Sequence, residues 1–413
     1  MEATSAHSQA IGIPSPDLKR FRLALVLAVA SLAVKLALAW TSHGTNDIDM
    51  WESSATLAQS LRAQNVSAIR LYQQKVIVSH EGRPYYEEVF NHPPLMIPVL
   101  RTVADLAERL DVPFPGLFRT LTSLADLGSF LLVAAMVKGA SGNLVAYAFC
   151  PAAILIAGFH GNSDPLMIFF LLAAAWSAQR GHPPWLLGMF ITAALNIKLL
   201  PLFVLPALFF YLRGWRGRLQ CFGVMAAGSL ALWLPYLAQD PAAVVKSTLG
   251  YDSLTGIWGI GYLLRRAVLF EPYSHYAKYL ILLLSVAVAW LMNRPQTRIP
   301  LFDQFGITLF LFLFLTPGFG VQYLYWLTPW AVTLGARSYW FHSLTAGAFL
   351  FAVYNFWSGG MPWGFANSLA AGPWGREAQV LQVLAWISVG VVLSDYWQRY
   401  RLSLDLDHFA ARK

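Results

Sequence analysis

Asp47 and Asp49 are the residues of this chain whose types and spacing most directly suggest chemistry. They stand two positions apart in residues 43–52, which follow the first long apolar run. Two carboxylates beside a membrane surface can supply a general base or hold a divalent cation. A D-x-D pair is also common in solvated loops, so the pair alone leaves an ordinary polar loop as the alternative.

Lys198 is the second candidate for chemistry. It ends an apolar run shortly before Pro201, and Pro206 interrupts the run that follows. Unwound backbone at membrane depth survives only where it is buried in protein or lines a cavity. A lysine at such a break binds phosphate as a point charge. Snorkelling of the side chain to the membrane interface is the competing structural interpretation.

Other polar residues interrupt the apolar runs in a similar way. Lys198, His160 and Arg265 are the candidate phosphate ligands, in that order, although Arg265 serves equally well as a membrane anchor. Tyr323 has the alternative of an aromatic belt at the interface. The full set of candidate donor-phosphate and substrate ligands besides the two carboxylates is Lys198, His160, Asp164, Asn162, His92, Arg265, Gln322 and Tyr323.

The elements that must position these residues are apolar helices. Hydrophobic residues make up 57% of the 413 positions and charged residues 12%, well below the charged share of a soluble globular protein. We predict an all-α polytopic membrane protein, a single membrane domain over 1–413 with about 12 spans (about 11 to 13). The predicted spans are 22–41, 117–138, 144–159, 164–180, 185–197, 199–213, 220–238, 276–293, 302–316, 322–337, 340–357 and 378–396.

The basic residues of the short loops predict the orientation, because such loops face the cytoplasm. With the N-terminus inside, three segments lie outside, at 42–116, 239–275 and 358–376. The net charge of +8 then reflects topology and contact with membrane lipid rather than binding of nucleic acid. The basic residues placed inside by this assignment are Lys138, Arg180, Arg213, Arg216, Arg218, Arg294, Arg298, Arg337, Arg399 and Arg401.

Two stretches of the first outer segment have the apolar spacing of amphipathic helices. Residues 51–64 are predicted to lie on the membrane interface. Residues 94–112 have similar spacing but carry Arg101, Asp105, Glu108 and Arg109, and four charges in one span are costly in lipid. We therefore predict that this second helix lies on or dips into the outer face.

Arg119 and Asp126 are charged residues inside a predicted span. They lie seven positions apart, which places them on one face of a helix two turns apart. Charges in lipid usually pair with one another or with polar neighbours. A structural role is therefore favoured for both over a catalytic one.

The order of first span, outer acidic motif, interfacial helix and Pro-Pro-Leu resembles the GT-C glycosyltransferases that use polyprenyl-phosphate sugars. TNDIDM at 45–50, PY at 84–85 and HPPL at 92–95 look like the D-x-D region of the first GPI mannosyltransferase and of bacterial polyprenyl-phosphate-mannose mannosyltransferases. Three further stretches are similar to segments of the ER glucosyltransferases that act on lipid-linked oligosaccharide. They are FRT at 118–120 with Asp126, CPAAILI at 150–156 running into His160, and ALNIK at 194–198.

The resemblance implies a GT-C-like bundle that transfers a hexose, with mannose favoured, from a polyprenyl-phosphate donor to a hydroxyl of a glycan or glycolipid acceptor, with inversion. We expect Asp47 to be the general base and Asp49 to orient the acceptor or a cation. Relatives with one acidic residue here leave the choice between the two open, and many relatives have Tyr where His92 stands. A divalent cation is left open, and no other cofactor is expected. The bacterial inner membrane, with the site facing outward, is favoured over the ER membrane.

A transporter or flippase of lipid-linked glycan is the alternative function. Intramembrane charges and broken helices occur in transporters as well. A transporter of this kind predicts inverted repeats and polar residues near the middle of the bilayer. No repeat is visible in this sequence, and the polar clusters gather at the predicted outer ends of the spans.

Overall fold

The computed structural model describes residues 18–137, 141–250, 253–295, 297, 299–361 and 363–404. Lys138 and Arg298, which the orientation prediction uses, lie outside the described residues, as do residues 1–17 of the predicted single domain. Helices make up most of the described chain, and its strands form two short antiparallel pairs.

The described residues of the first half of the chain form nine α-helices, most of them apolar. They are α1 (Leu18–Thr41), α2 (Asn46–Ala63), α3 (Arg70–Gln73), α4 (Met96–Leu110), α5 (Phe114–Met136), α6 (Ser141–Ala148), α7 (Pro151–Ile154), α8 (Asp164–Gln179) and α9 (Pro184–Ile197). A π-helical segment, Leu155–His160, continues α7. Strands β1 (Lys75–His80) and β2 (Arg83–Val89) form a hairpin between α3 and α4.

The second half is also helical. Its α-helices are α10 (Leu205–Tyr211), α11 (Trp215–Leu237), α12 (Pro241–Leu249), α13 (Gly259–Leu264), α14 (Phe270–Met292), α15 (Leu301–Leu315), α16 (Thr328–Ala331), α17 (Ala336–Trp357), α18 (Ser368–Ala371) and α19 (Arg376–Leu404). Two 3₁₀ segments, Leu200–Val204 and Val321–Leu327, precede α10 and α16. Strands β3 (Leu254–Thr255) and β4 (Gly318–Phe319) pair across two loops.

Six helices among the described residues are long and apolar enough to cross a membrane: Arg22–Thr41, Phe114–Met136, Asn143–His160, Trp215–Leu237, Phe270–Met292 and Arg376–Arg401. Four shorter apolar helices accompany them: Asp164–Gln179, Pro184–Ile197, Leu200–Tyr211 and Leu301–Leu315. An all-α chain with several candidate spans is thus confirmed, while the count of about 12 stays a prediction. The predicted span 322–337 is a 3₁₀ segment followed by the four residues of α16.

The segment 42–116 differs from the prediction of helices alone. Residues 75–89 form the β1–β2 hairpin, whose turn residues Glu81 and Gly82 have φ values of +48° and +76°. Positive φ at both central residues fits a two-residue hairpin turn. The Asp pair also lies in a helix rather than a loop, because α2 begins at Asn46. Thr45 caps that helix by accepting a hydrogen bond from the backbone N–H of Asp47.

Helix α4 lies in the stretch 94–112, which is predicted to lie on or dip into the outer face because of its charges. Its apolar face, which includes Leu100, Val103 and Ala107, is buried, and the helix packs against α2. Arg62 of α2 forms a 2.9 Å ion pair with Asp105 of α4. A 15-residue helix with one apolar face buried in protein and charges on the other favours the predicted position outside the lipid core.

Of the three segments predicted to lie outside, the first contacts both of the others. Gln73 donates a hydrogen bond to Asp240, which joins the first segment to the second. Thr45 pairs with Ala366, and Asn46 accepts from the hydroxyl of Ser368, which joins the first segment to the third. Contact among them is what a common side of the bundle requires.

The charged residues inside the bundle have structural partners. Asp126 forms a 2.5 Å ion pair with Lys35 of α1 and accepts a hydrogen bond from Tyr325. Arg119 instead binds the hydroxyl and the carbonyl of Ser42 at the end of α1. The favoured structural role is therefore supported, through neighbours on α1 rather than through an Arg119–Asp126 pair.

We expect Gly188→Ala to destabilise the bundle. A Cβ at Gly188 would lie 2.4 Å from the backbone oxygen of Cys221, where α9 crosses α11. Overpacking of this kind costs about 1–3 kcal/mol. Thermal denaturation in detergent should show a lower midpoint than for the wild type. Gly223→Ala on α11 is the control, since its Cβ meets nothing within 4 Å, and equal midpoints for the two variants would contradict the expectation.

Candidate active site

A cavity of about 440 Å³ lies where the segment 42–116 meets the ends of α8, α9 and α15. Asp47, Met50 and Trp51 of α2 line one wall. The break after α9 lines another wall, as the sequence predicted for unwound backbone. Predicted site residues that line this cavity are Asp47, His92, Asn162, Lys198, Gln322 and Tyr323.

Asp47 presents a partly exposed carboxylate to this cavity. Its Oδ2 accepts a 2.9 Å hydrogen bond from Nε2 of His160 and a 2.7 Å bond from Asn162. An ionised carboxylate only accepts hydrogen bonds, so Nε2 carries the hydrogen. Nδ1 of His160 lies 2.7 Å from the hydroxyl of Tyr354. His160 therefore orients Asp47 from behind the cavity wall.

The protein holds Asp47 in its ionised form. Burial alone would raise the pKa of Asp47, but His160, Asn162 and the charge of Lys198 outweigh it and lower the pKa to about 2. Partners that bind or attract the charged form of a carboxylate have this effect. Asp47 is consequently an anion at any pH near neutrality.

Asp49 turns away from Asp47 and lies outside the cavity lining. Its carboxylate is buried, lies 3.1 Å from Nδ1 of His80, and accepts from the hydroxyl of Tyr85 at 3.1 Å. Burial raises the pKa of Asp49, opposed by these two partners. The structure therefore connects Asp49 to the hairpin, which the D-x-D spacing did not predict.

Lys198 lies at the end of α9, on the cavity wall opposite α2. Its Nζ lies 2.6 Å from Asp164, a fully buried carboxylate at the start of α8. The ammonium group also faces the rings of Tyr323 and Trp326, with centroids 5.2 and 5.3 Å away. Asp164, a predicted ligand, thus lies behind Lys198 and holds the lysine in place.

The cavity lining includes buried polar atoms without a hydrogen-bond partner among the described residues. Among them are Nε1 of Trp51, Oδ1 of Asn91 and Nδ1 of His92. Burial and the charge of Lys198 lower the pKa of His92 to about 3, so its imidazole is neutral. These atoms are a donor, an acceptor and a ring nitrogen that can take either role. They suit a ligand rich in hydroxyl groups, since each hydroxyl both donates and accepts.

Sequence analysis missed two charged residues of the cavity lining, Glu88 and Lys278. Glu88 accepts a 2.8 Å hydrogen bond from the hydroxyl of Tyr86, and burial raises its pKa. Glu88 belongs to the hairpin that was not predicted. Lys278, a cation near the start of an apolar 23-residue helix, was a detectable signal because charges in such helices mark functional sites.

Arg265 does not belong to this site. It is exposed, its guanidinium lies 3.7 Å from the ring centroid of Tyr262, and it is absent from the cavity lining. The phosphate role of Arg265 stays a prediction, and this cavity does not include it. The loop after α13 directs it elsewhere, which the order of residues along the chain could not reveal.

A second, more open cavity of about 700 Å³ adjoins the first. Glu88 and Asn91 line both cavities. Polar side chains dominate the lining of the second one, and they include Arg70, Gln73, Asp240, Lys246 and Ser247. A ligand group in this polar cavity could therefore reach the first cavity past Glu88 and Asn91.

Comparison with protein-family models found no match, and comparison with curated proteins found none either. Any function must therefore be argued from the site itself.

Proposed function

We propose that this chain is a membrane glycosyltransferase that moves a hexose, with mannose favoured, from a polyprenyl-phosphate donor to a hydroxyl of a glycan or glycolipid acceptor. The observation that carries this function is the composition of the cavity. One space holds an ionised carboxylate, two lysines, unpartnered polar atoms and an apolar wall. The carboxylate can activate the acceptor hydroxyl, and the lysines can bind the phosphate. The unpartnered polar atoms can bind the sugar, and the apolar wall can hold the lipid chain.

In this reaction the acceptor oxygen attacks the anomeric carbon from the face opposite the phosphate. The new carbon–oxygen bond forms as the bond from the anomeric carbon to the phosphate oxygen breaks, which inverts the configuration. Asp47 takes the proton of the acceptor hydroxyl. Lys198 and Lys278, both on the cavity wall, stabilise the negative charge that develops on the leaving lipid phosphate.

The low pKa of Asp47 makes it a weak base in the resting protein. General-base catalysis is most effective when the pKa lies near the working pH. Donation from His160 and Asn162 lowers the pKa of Asp47, so loss of one of these bonds on substrate binding would strengthen the base. Glu88, whose pKa is raised by burial, is the second carboxylate in the cavity and the alternative base.

The apolar part of the cavity suits the lipid tail of the donor. Leu199, Leu202 and Phe203 follow Lys198 along the broken segment, and Phe312 of α15 lies beside them. With its phosphate at Lys198, the donor would therefore place its polyprenyl chain against apolar side chains. This contact is favourable because it removes apolar surface from water. The polar second cavity is the corresponding route for the acceptor.

The wider setting of this proposal is a GT-C-like bundle of about 12 spans in a bacterial inner membrane, with the cavity facing outward. The six long and four shorter apolar helices support a multi-pass protein of this kind. Contact among the segments 42–116, 239–275 and 358–376 supports placing them together on that outer face.

Sugar transfer is tested with membranes that contain the wild-type chain and a radiolabelled polyprenyl-phosphate hexose. We expect label to move from the lipid donor to a glycan or glycolipid, because the cavity holds both a base and phosphate ligands. Membranes lacking the chain are the control. Movement of intact lipid-linked glycan across the membrane, with no labelled product, would replace this function by that of a flippase.

A further inference from the structure

A second group of chemically active side chains lies at the tip of the β1–β2 hairpin. His43, His80 and Glu81 each offer a ligand atom within 4.8 Å of the others. Nδ1 of His43 lies 3.9 Å from Oε1 of Glu81. His43 follows α1, whereas the other two residues end β1 and begin the hairpin turn. The proposed glycosyl transfer uses none of these three residues.

His80 is held in a fixed orientation. Nδ1 of its ring lies 3.1 Å from the buried carboxylate of Asp49, and the ring stacks on Phe365 with centroids 3.6 Å apart and planes 14° apart. Because Nδ1 points at an acceptor, the lone pair of the neutral ring lies on Nε2. A carboxylate behind a histidine is the usual outer partner of a metal-binding imidazole, since it fixes the tautomer and the orientation of the ring.

We propose that His43, His80 and Glu81 bind a zinc ion, with Asp49 as the outer partner of His80. Two imidazoles and one carboxylate form a ligand set that zinc accepts, with a fourth position for water. Tetrahedral coordination brings ligand atoms to about 3.4 Å from one another. His43 and Glu81 are exposed, so their side chains can close this distance without disturbing the core.

The proposed ion would tie three parts of the outer face together. His43 also donates its backbone N–H to the carbonyl of Trp363, and Phe365 supports the ring of His80. Zinc would thus fix the hairpin relative to the end of α1 and to the segment 358–376. This site explains the position of Asp49 without placing that residue in the cavity, and it does not depend on the proposed sugar transfer.

The test is a calorimetric titration of zinc alone into the purified full chain in detergent, with any affinity tag removed and bound metal first stripped by a chelator. We expect about one zinc ion per chain and a higher unfolding temperature with zinc. His43→Ala and Glu81→Gln, both at exposed positions, should weaken binding strongly. Asp49→Asn should weaken it about 10-fold to 100-fold, as for other outer partners of metal-bound histidines.

His275→Ala is the matched control, because His275 is exposed on α14 and absent from this cluster. It should bind zinc as the wild type does. Absence of stoichiometric binding by the wild type would overturn the site, and so would unchanged binding by His43→Ala. Because the titration contains no sugar donor, this result is independent of whether the chain transfers sugar.

Discussion

Asp47→Asn should lower the rate of sugar transfer by about 10²-fold to 10⁴-fold, the usual contribution of a positioned general base. The amide keeps the shape of the side chain but cannot take the proton of the acceptor hydroxyl. The carboxylate that it replaces is an anion with a pKa of about 2 and faces the cavity. Initial rates of label transfer from the polyprenyl-phosphate donor, at saturating donor and acceptor, measure the effect.

Two controls separate catalysis from folding in the Asp47→Asn experiment. Asp111→Asn changes an exposed carboxylate of the same segment, 42–116, in a left-handed position that Asn also tolerates, and should transfer at the wild-type rate. Thermal denaturation shows whether Asp47→Asn is still folded. We expect that it is, because the variant keeps an oxygen that can accept from His160 or Asn162.

Glu88→Gln decides between the two carboxylates of the cavity. A folded Asp47→Asn variant with wild-type transfer, together with an inactive Glu88→Gln variant, would move the base from Asp47 to Glu88. Asp49→Asn should reduce transfer less than Asp47→Asn does, because Asp49 is buried behind the hairpin and does not line the cavity.

The helical bundle was predictable because apolar runs of span length can bury themselves only as helices in lipid. The break after α9 was predictable for a related reason, since Pro201 and Pro206 remove backbone donors where no water replaces them. The hairpin was missed although KVIVSH and RPYYEEV are rich in β-branched and aromatic residues. Two short strands in a segment otherwise rich in helical spacing give a weak signal.

The site was predictable in part for reasons of geometry. Asp47, Asn162 and Lys198 lie at breaks between apolar runs, and breaks on one side of a bundle converge. Pairing within the site was beyond the sequence: Asp164 supports Lys198 and His160 supports Asp47, contacts between residues 34 and 113 positions apart. The position of Arg265 outside this cavity was not predictable, because its place in a loop says nothing of the direction in which the loop carries it.

Replacement of Lys198 should affect both stability and sugar transfer, and two variants distinguish the two effects. Lys198→Met leaves Asp164, whose side chain is 0% exposed, without its partner. Breaking a buried pair in this way costs about 3–5 kcal/mol, so the variant should denature at a lower temperature. The double variant Lys198→Met with Asp164→Asn removes both charges, and such replacements are often neutral for stability.

The double variant should be stable but slow. The lipid phosphate gains a second negative charge as its bond to the sugar breaks, and the cavity then lacks the cation on the α9 side. Loss of one group that stabilises developing charge costs about 10²-fold to 10³-fold in kcat, with a smaller change in KM because the donor carries less charge in the ground state. Lys75→Met is the control, since Lys75 is exposed and its ion pair among the described residues is with Glu87, a contact worth at most about 1 kcal/mol. A stable double variant with wild-type kcat would show that Lys198 serves the fold alone, and the phosphate would then have to be bound by Lys278, the other lysine of the cavity wall.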